Sequence, residues 1–220
     1  MLVLAICALF FTVDNVSSAR NRRNALPPNS DRKWDKYLGE DGKFVIPYEI
    51  EGNYTSDEHQ LLYEQMDKIA KNTCVKCNSA VGRPGGESVI SLESSKFGSC
   101  FDRGTLMRFL LHTVGLYGEQ MREDRDKYIR VHDENIIDGY EHFFTKILDA
   151  SSYGVPYDYL SIMHYGKNEY AKPGTITIET LDDRLQDLIG KQTEPTGNDY
   201  VKVCLMYNCK TCMGTETLVP

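Results

Sequence analysis

The chain has 220 residues, a formal charge of −7 and a charged fraction of 26%. That length buries a real core, as one domain or two small lobes. The acidic balance excludes the basic face that a nucleic-acid partner requires.

Residues 2–13 read LVLAICALFFTV, an apolar run too short to span a bilayer comfortably. Polar residues follow, then Ser17, Ser18 and Ala19, which put small side chains at the positions a signal peptidase reads. Residues 1–19 therefore read as a signal peptide rather than a buried core helix, and the product is expected to be secreted and extracellular. No later segment is long and apolar enough to cross a membrane. Arg20, Asn21, Arg22 and Arg23 have the spacing after which basic-directed processing proteases cut. Residues 20–23 are then a short pro-segment, Asn24 is the new amino terminus, residues 24–209 are the folded domain and residues 210–220 a tail.

Cys7 leaves with the signal. Cys74, Cys77, Cys100, Cys204, Cys209 and Cys212 remain, an even set that in a secreted chain means disulfides. Cys74 with Cys77, and Cys209 with Cys212, also have the C-x-x-C spacing of zinc ribbons. The long gap between the pairs and the oxidising compartment weigh against that reading.

Residues 24–42 form a polar arm anchored by Trp34, and residues 43–50, KFVIPYEI, a strand whose Pro47 marks an edge or a strand end. Asn53-Tyr54-Thr55 is a glycosylation sequon, with Asn53 the acceptor. A helix follows, capped by Ser56, with Asp57 and Glu58 at its positive end and Leu62, Met66, Ile69 and Ala70 as its apolar stripe. The VGRPGG run at 81–86 is turn chemistry and residues 88–92 a short strand. Further on, residues 128–131 read as a turn, 135–147 as an amphipathic helix, 153–165 as a tyrosine-rich loop, 175–178 as a brief strand and 197–207 as a last helix.

The chain is organised around residues 104–126, GTLMRFLLHTVGLYGEQMREDRD, a helix to about Tyr117 followed by a charged run. Two histidines spaced i and i+4 share a helical face, and a glutamate after the first can reach a metal-bound water. A glycine then turns the chain so that a third histidine arrives from a new direction, the H-E-x-x-H-x-x-G-x-x-H logic of metzincins. Here His112 and Gly115 keep the middle ligand and the glycine. Arg108 and Gly118 stand at the outer ligand positions, and Phe109 where the general base belongs.

Four collinear motifs carry a resemblance. Residues 118–126 resemble H-E-x-x-R-x-D-R-D without its histidine; Asn135, Ile136 and Gly139 match N-I-x-x-G; residues 161–165, SIMHY, match a Met-turn; and residues 77–83 resemble C-x-S-x-V-G-R. From about Asn24 to Cys209 the chain resembles the catalytic domain of the astacin family of zinc metallopeptidases. The resemblance implies an α+β metzincin fold with two lobes flanking a cleft and zinc on the cleft floor. It also implies that part of the N-terminal sheet is deleted, because only Val75 and Lys76 separate Cys74 from Cys77. By resemblance, His112 is the retained zinc ligand, Tyr165 the tyrosine that stabilises the transition state, Met163 the residue under the metal, and Glu119 the partner of the processed amino terminus. Gly115 is structural. The implied disulfides are Cys74–Cys209 and Cys77–Cys100, leaving Cys204 with Cys212.

A catalytic zinc takes three protein ligands plus water. One histidine survives here, Arg108 brings a permanent cation to the metal's place, and Phe109 removes a base worth about 10²- to 10⁴-fold in rate. The expectation is a secreted astacin-like homologue with little or no bound zinc, no catalytic residues in use, and a cleft kept for protein or peptide ligands. The alternative is an active zinc metalloendopeptidase with an unusual ligand set.

Overall fold

The computed structural model describes residues 25–79, 90–95, 98–148 and 151–217. The signal peptide, the processing site, Asn24 and the turn at 81–86 lie outside those residues.

Strand β1 spans Phe44–Tyr48, and helix α1 spans Ser56–Asn72. Thr55, not Ser56, caps α1. Its hydroxyl accepts from the Glu58 amide at 3.3 Å, and the Glu58 carboxylate accepts from the Thr55 amide at 2.7 Å. The two satisfy donors that a helix start leaves open. The helix is the crossover to β2, Val75–Ser79, which runs parallel to β1 in the register Phe44↔Val75 to Tyr48↔Ser79. Pro47 lies inside β1 rather than at its end. Val45 N donates to Tyr37 O on the side of β1 away from β2; beyond that bond no backbone partner stands there among the described residues, so a missing N–H loses no ladder bond. Asn53 is exposed in the turn before α1.

Ile90–Leu92, expected in a strand, are irregular; the short pair β3 (Ser94–Ser95) and β4 (Gly98–Ser99) follows instead. Helix α2 spans Arg103–Val114, started by the Asp102 carboxylate accepting from Thr105 N at 2.9 Å. It ends three residues before Tyr117 because Gly115 takes φ = 125° and closes the helix with its amide on Leu111 O and His112 O. A methyl group at residue 115 would lie 2.9 Å from both Leu26 Cδ1 and Met206 Sδ.

Beyond Gly115 the chain is mostly turns. Strand β5, Ile129–Val131, stands where a turn was expected, and pairs antiparallel with β6, Ile178–Thr180, just past the strand expected at 175–178. The amphipathic helix expected at 135–147 is not formed. Two 3-10 turns, Asp133–Asn135 and Glu141–Phe144, occupy that stretch, with Gly139 at φ = 94° between them. Helix α3, Gly197–Met206, begins with a Thr196–Asp199 capping box. Part of the expected tail is a hairpin, β7 (Thr211–Cys212) with β8 (Thr215–Glu216).

Two separate cores result. The larger joins β1, α1, α2, α3 and the Ile162–Met163 turn; Trp34 belongs to it and donates from its indole to Thr113 O at 2.9 Å. The smaller gathers Ile129, Ile136, Phe144, Tyr157, Ile178 and Ile189. The Cys74–Cys209 and Cys204–Cys212 bonds tie α1 and the closing hairpin to α3. Closing a loop with a sequence separation of 135 removes about 5 kcal/mol of denatured-state entropy in the chain-entropy picture. The expected Cys77–Cys100 bond is absent. The β1–β2 register sets Cys77 opposite Ile46, and burial there raises the pKa of its free thiol to about 12.

Gly115→Ala is expected to lower the unfolding free energy by about 2 kcal/mol, because it meets both a positive φ and two packed side chains. A urea midpoint with far-ultraviolet dichroism as the helix check measures this.

Candidate functional site

The end of α2 shares the larger core with Ile162 and Met163 of the 161–165 turn. Helical spacing places Arg108 and His112 one turn apart on one face of α2. His112 is half-buried, its ring edge-on to Tyr117 with centroids 5.0 Å apart. Its Nδ1 lies 2.8 Å from Leu116 O. A carbonyl only accepts, so Nδ1 carries the proton and Nε2 the lone pair. Burial lowers the His112 pKa, which favours the neutral ring.

The other expected ligands are not supplied. Arg108 is half-buried, with a buried Nε that meets no acceptor. It lies close enough to His164, Tyr165 and Tyr170 for its charge to act on them. Phe109, next along the helix, offers no ionisable group. Gly118 has no side chain, and its space is filled by Gln120, whose amide crowds the point where a Cβ at residue 118 would start. Gln120 is fully buried; its Oε1 accepts from Tyr165 N at 3.3 Å, and its Nε2 meets no acceptor. Zinc needs lone pairs from three side chains. This corner provides one imidazole, a guanidinium and an amide NH₂, a donor set that does not fit the ion. Among the described residues no group of three or more His, Cys, Asp or Glu is placed to hold a metal.

The scaffold around the site is held by Glu119, fully buried. Its Oε1 accepts from Arg122 at 3.1 Å and from Asp158 N at 3.0 Å, while Oε2 pairs with Lys202 of α3. Lys202 and Arg122 are themselves buried. The resemblance pairs Glu119 with a processed terminus; in the described structure Lys202 and Arg122 are the cations on its carboxylate. Arg122 also donates to Val155 O, Pro156 O and Asp124, and its guanidinium lies 5.4 Å over the Tyr157 ring.

The turn itself is pinned from α3. Ser161 donates to Asp199 Oδ1 at 2.5 Å, Ile162 N to Asp199 Oδ2 at 3.1 Å, and Met163 N to Ser161 Oγ at 3.0 Å. Met163 is buried in the larger core, and its carbonyl accepts from Glu119 N at 3.1 Å. Tyr165 is half-buried against Phe144 and Tyr170, and burial raises its phenol well above the ordinary range. His164 is enclosed: Nδ1–H donates to Tyr165 O at 2.7 Å and Nε2 accepts from Tyr157 OH at 2.8 Å.

Sequence reasoning thus reached Glu119, Met163, Tyr165 and the Arg108–His112 pair, and missed Gln120, Lys202, Tyr170 and Asp199. Only Asp199 had a local signal, the capping-box spacing from Thr196.

Two measurements check this architecture. Lys202→Met leaves part of the Glu119 charge uncompensated and is expected to cost about 3 kcal/mol in chemical denaturation; adding Glu119→Gln recovers much of it. For His164, burial pushes the pKa below its ordinary 6.5. Below pH 6.5 the unfolded chain therefore binds more protons, so this stability is complete above pH 6.5 and is lost as pH falls. His164→Gln is expected to flatten the fall in urea midpoint between about pH 6.5 and 5.

Comparison with known proteins fits this geometry. The family model described as Astacin, a peptidase family, matches residues 75–208. Zinc metalloproteinase nas-5 of Caenorhabditis elegans is 40% identical over 216 residues, covering 88% of this chain and 60% of the relative. Low choriolytic enzyme of Oryzias latipes is 32% identical over 209 residues, covering 85% of this chain and 74% of that protein. The chain spans 42–60% of the length of the first three nematode relatives. Among solved structures, high choriolytic enzyme 1, a hatching enzyme zinc-protease from medaka, superposes with a TM-score of 0.74 at 27% identity, covering 84% of this chain and 100% of that one. With its α+β architecture, its Ser161–Tyr165 turn and its buried Glu119, this chain belongs to the astacin family of metallopeptidases.

Proposed function

We propose that this chain is a secreted astacin-family homologue that has lost zinc-dependent peptide hydrolysis and keeps the fold as a module for binding protein or peptide. One observation carries the reading: the ligand series is Arg108, His112 and Gly118, with Phe109 in place of the base. A metal-bound water cannot form in a site without three lone-pair donors, and no carboxylate follows Arg108 to take its proton. Secretion is supported by the apolar run at 2–13 and by disulfides, which persist in oxidising compartments. Among the described residues no helix is long and apolar enough to cross a membrane. Asn53, exposed and within its sequon, is the expected glycan acceptor.

Metal analysis of the mature secreted protein, with its amino-terminal mass recorded, tests this directly. Far less than one zinc per chain is expected, with no chelator-sensitive cleavage of denatured protein. Stoichiometric zinc lost in His112→Ala, together with such cleavage, would establish the alternative: a working endopeptidase with an unusual ligand set. A triple replacement, Arg108→His, Phe109→Glu and Gly118→His, is expected to raise zinc occupancy. It should do so fully only when Gln120 is also shortened to alanine, because the Gln120 amide occupies the space of a side chain at residue 118.

A further inference from the structure

The groups that replace the metal ligands are hydrogen-bond donors, and they are left without acceptors. Arg108 Nε is buried and unpartnered, and so is Nε2 of the fully buried Gln120. The orientation of the Gln120 amide is fixed by Tyr165 N, which donates to Oε1, so the NH₂ group faces away over Gly118. Both donors neighbour one residue: Tyr165 hydrogen-bonds Gln120 through its backbone and feels the Arg108 charge at its phenol. Tyr165 and Tyr170 pack together with ring centroids 5.8 Å apart, and a phenol can donate as well as accept.

A buried donor with no acceptor costs about 1–3 kcal/mol. Two of them beside one tyrosine pair describe a site shaped for an acceptor. The nearby carboxylates do not fill it. Glu119 is turned to Arg122, Lys202 and Asp158 N, and Glu169 acts on the two phenols but leaves Arg108 Nε unpartnered. We propose that the former metal corner, formed by Arg108, Gln120, Tyr165 and Tyr170, is an anion site for a peptide carboxylate: an aspartate or glutamate side chain, or a free carboxyl terminus. A guanidinium fork matches a carboxylate in a way that an ammonium does not. The proposal rests on the zinc-free reading above, since a bound cation would compete for the same space.

Calorimetric titration of the full secreted chain with three alanine–serine heptapeptides tests it. One is capped at both ends with a central glutamate, one carries glutamine there instead, and one is uncharged along its length with a free carboxyl terminus. At least one carboxylate peptide is expected to bind tenfold or more tighter than the glutamine peptide, and which one does so identifies the source of the carboxylate. Arg108→Gln should erase that preference, and Arg108→Lys should retain only part of it; dichroism confirms folding, and either variant alone suffices if the other misfolds. Equal or absent binding of all three peptides by zinc-free protein overturns this inference and leaves the loss of hydrolysis standing, as does a preference that persists in Arg108→Gln. Stoichiometric zinc with peptide cleavage overturns the reading beneath it.

Discussion

A carboxylate with no access to water must be met by charge and by hydrogen bonds, and Glu119 imposes that requirement on most of the molecule. Its partners come from its own 3-10 turn through Arg122, from the loop at 155–158, and from α3 through Lys202. Because Glu119 N also donates to Met163 O, the same residue fixes the height of the 161–165 turn against the end of α2. Asp199 repeats the arrangement from the other side, capping α3 while holding Ser161 and Ile162. The two cores are thus joined through a polar layer, which is present although Arg108, Phe109 and Gly118 stand at the ligand and base positions of the metzincin pattern.

Much of this was legible in the residues themselves. An apolar stripe located α1, the metal-helix pattern located α2 and its turn at Gly115, and the segment before the closing cysteines was readable as α3. What was not legible depended on distance or on packing. Thr55 and Ser56 are both good caps, and only the reach of Glu58 back to Thr55 decides between them. Residues 135–147 carry apolar spacing close to that of a helix. Their aromatic side chains instead pack around Tyr170, with Phe143 stacked at 4.9 Å and Tyr140 at 4.8 Å, while Gly139 breaks the run. Lys202 is an ordinary lysine on an amphipathic helix until the fold brings it to Glu119, 83 positions away in sequence.

The site shows how a scaffold and its reactivity separate. A metzincin site lacking two histidines and a glutamate would be a hydrated hollow if nothing took their place. Here the Gln120 amide fills the place of a side chain at 118, and Arg108 and Gln120 present unpartnered donors, a polarity opposite to what a metal requires. The neighbouring aromatic residues Phe144, Tyr165 and Tyr170 keep the low-dielectric surroundings in which a single charge–charge contact is strengthened.

The placement of Gln120 also couples neighbouring positions. A histidine at residue 118 would collide with the amide that braces Tyr165, and a histidine at 108 alone would leave the ligand set incomplete. Converting this corner to a three-histidine ligand set therefore takes coordinated change at 108, 118 and 120, and any single replacement disturbs packing without completing the set.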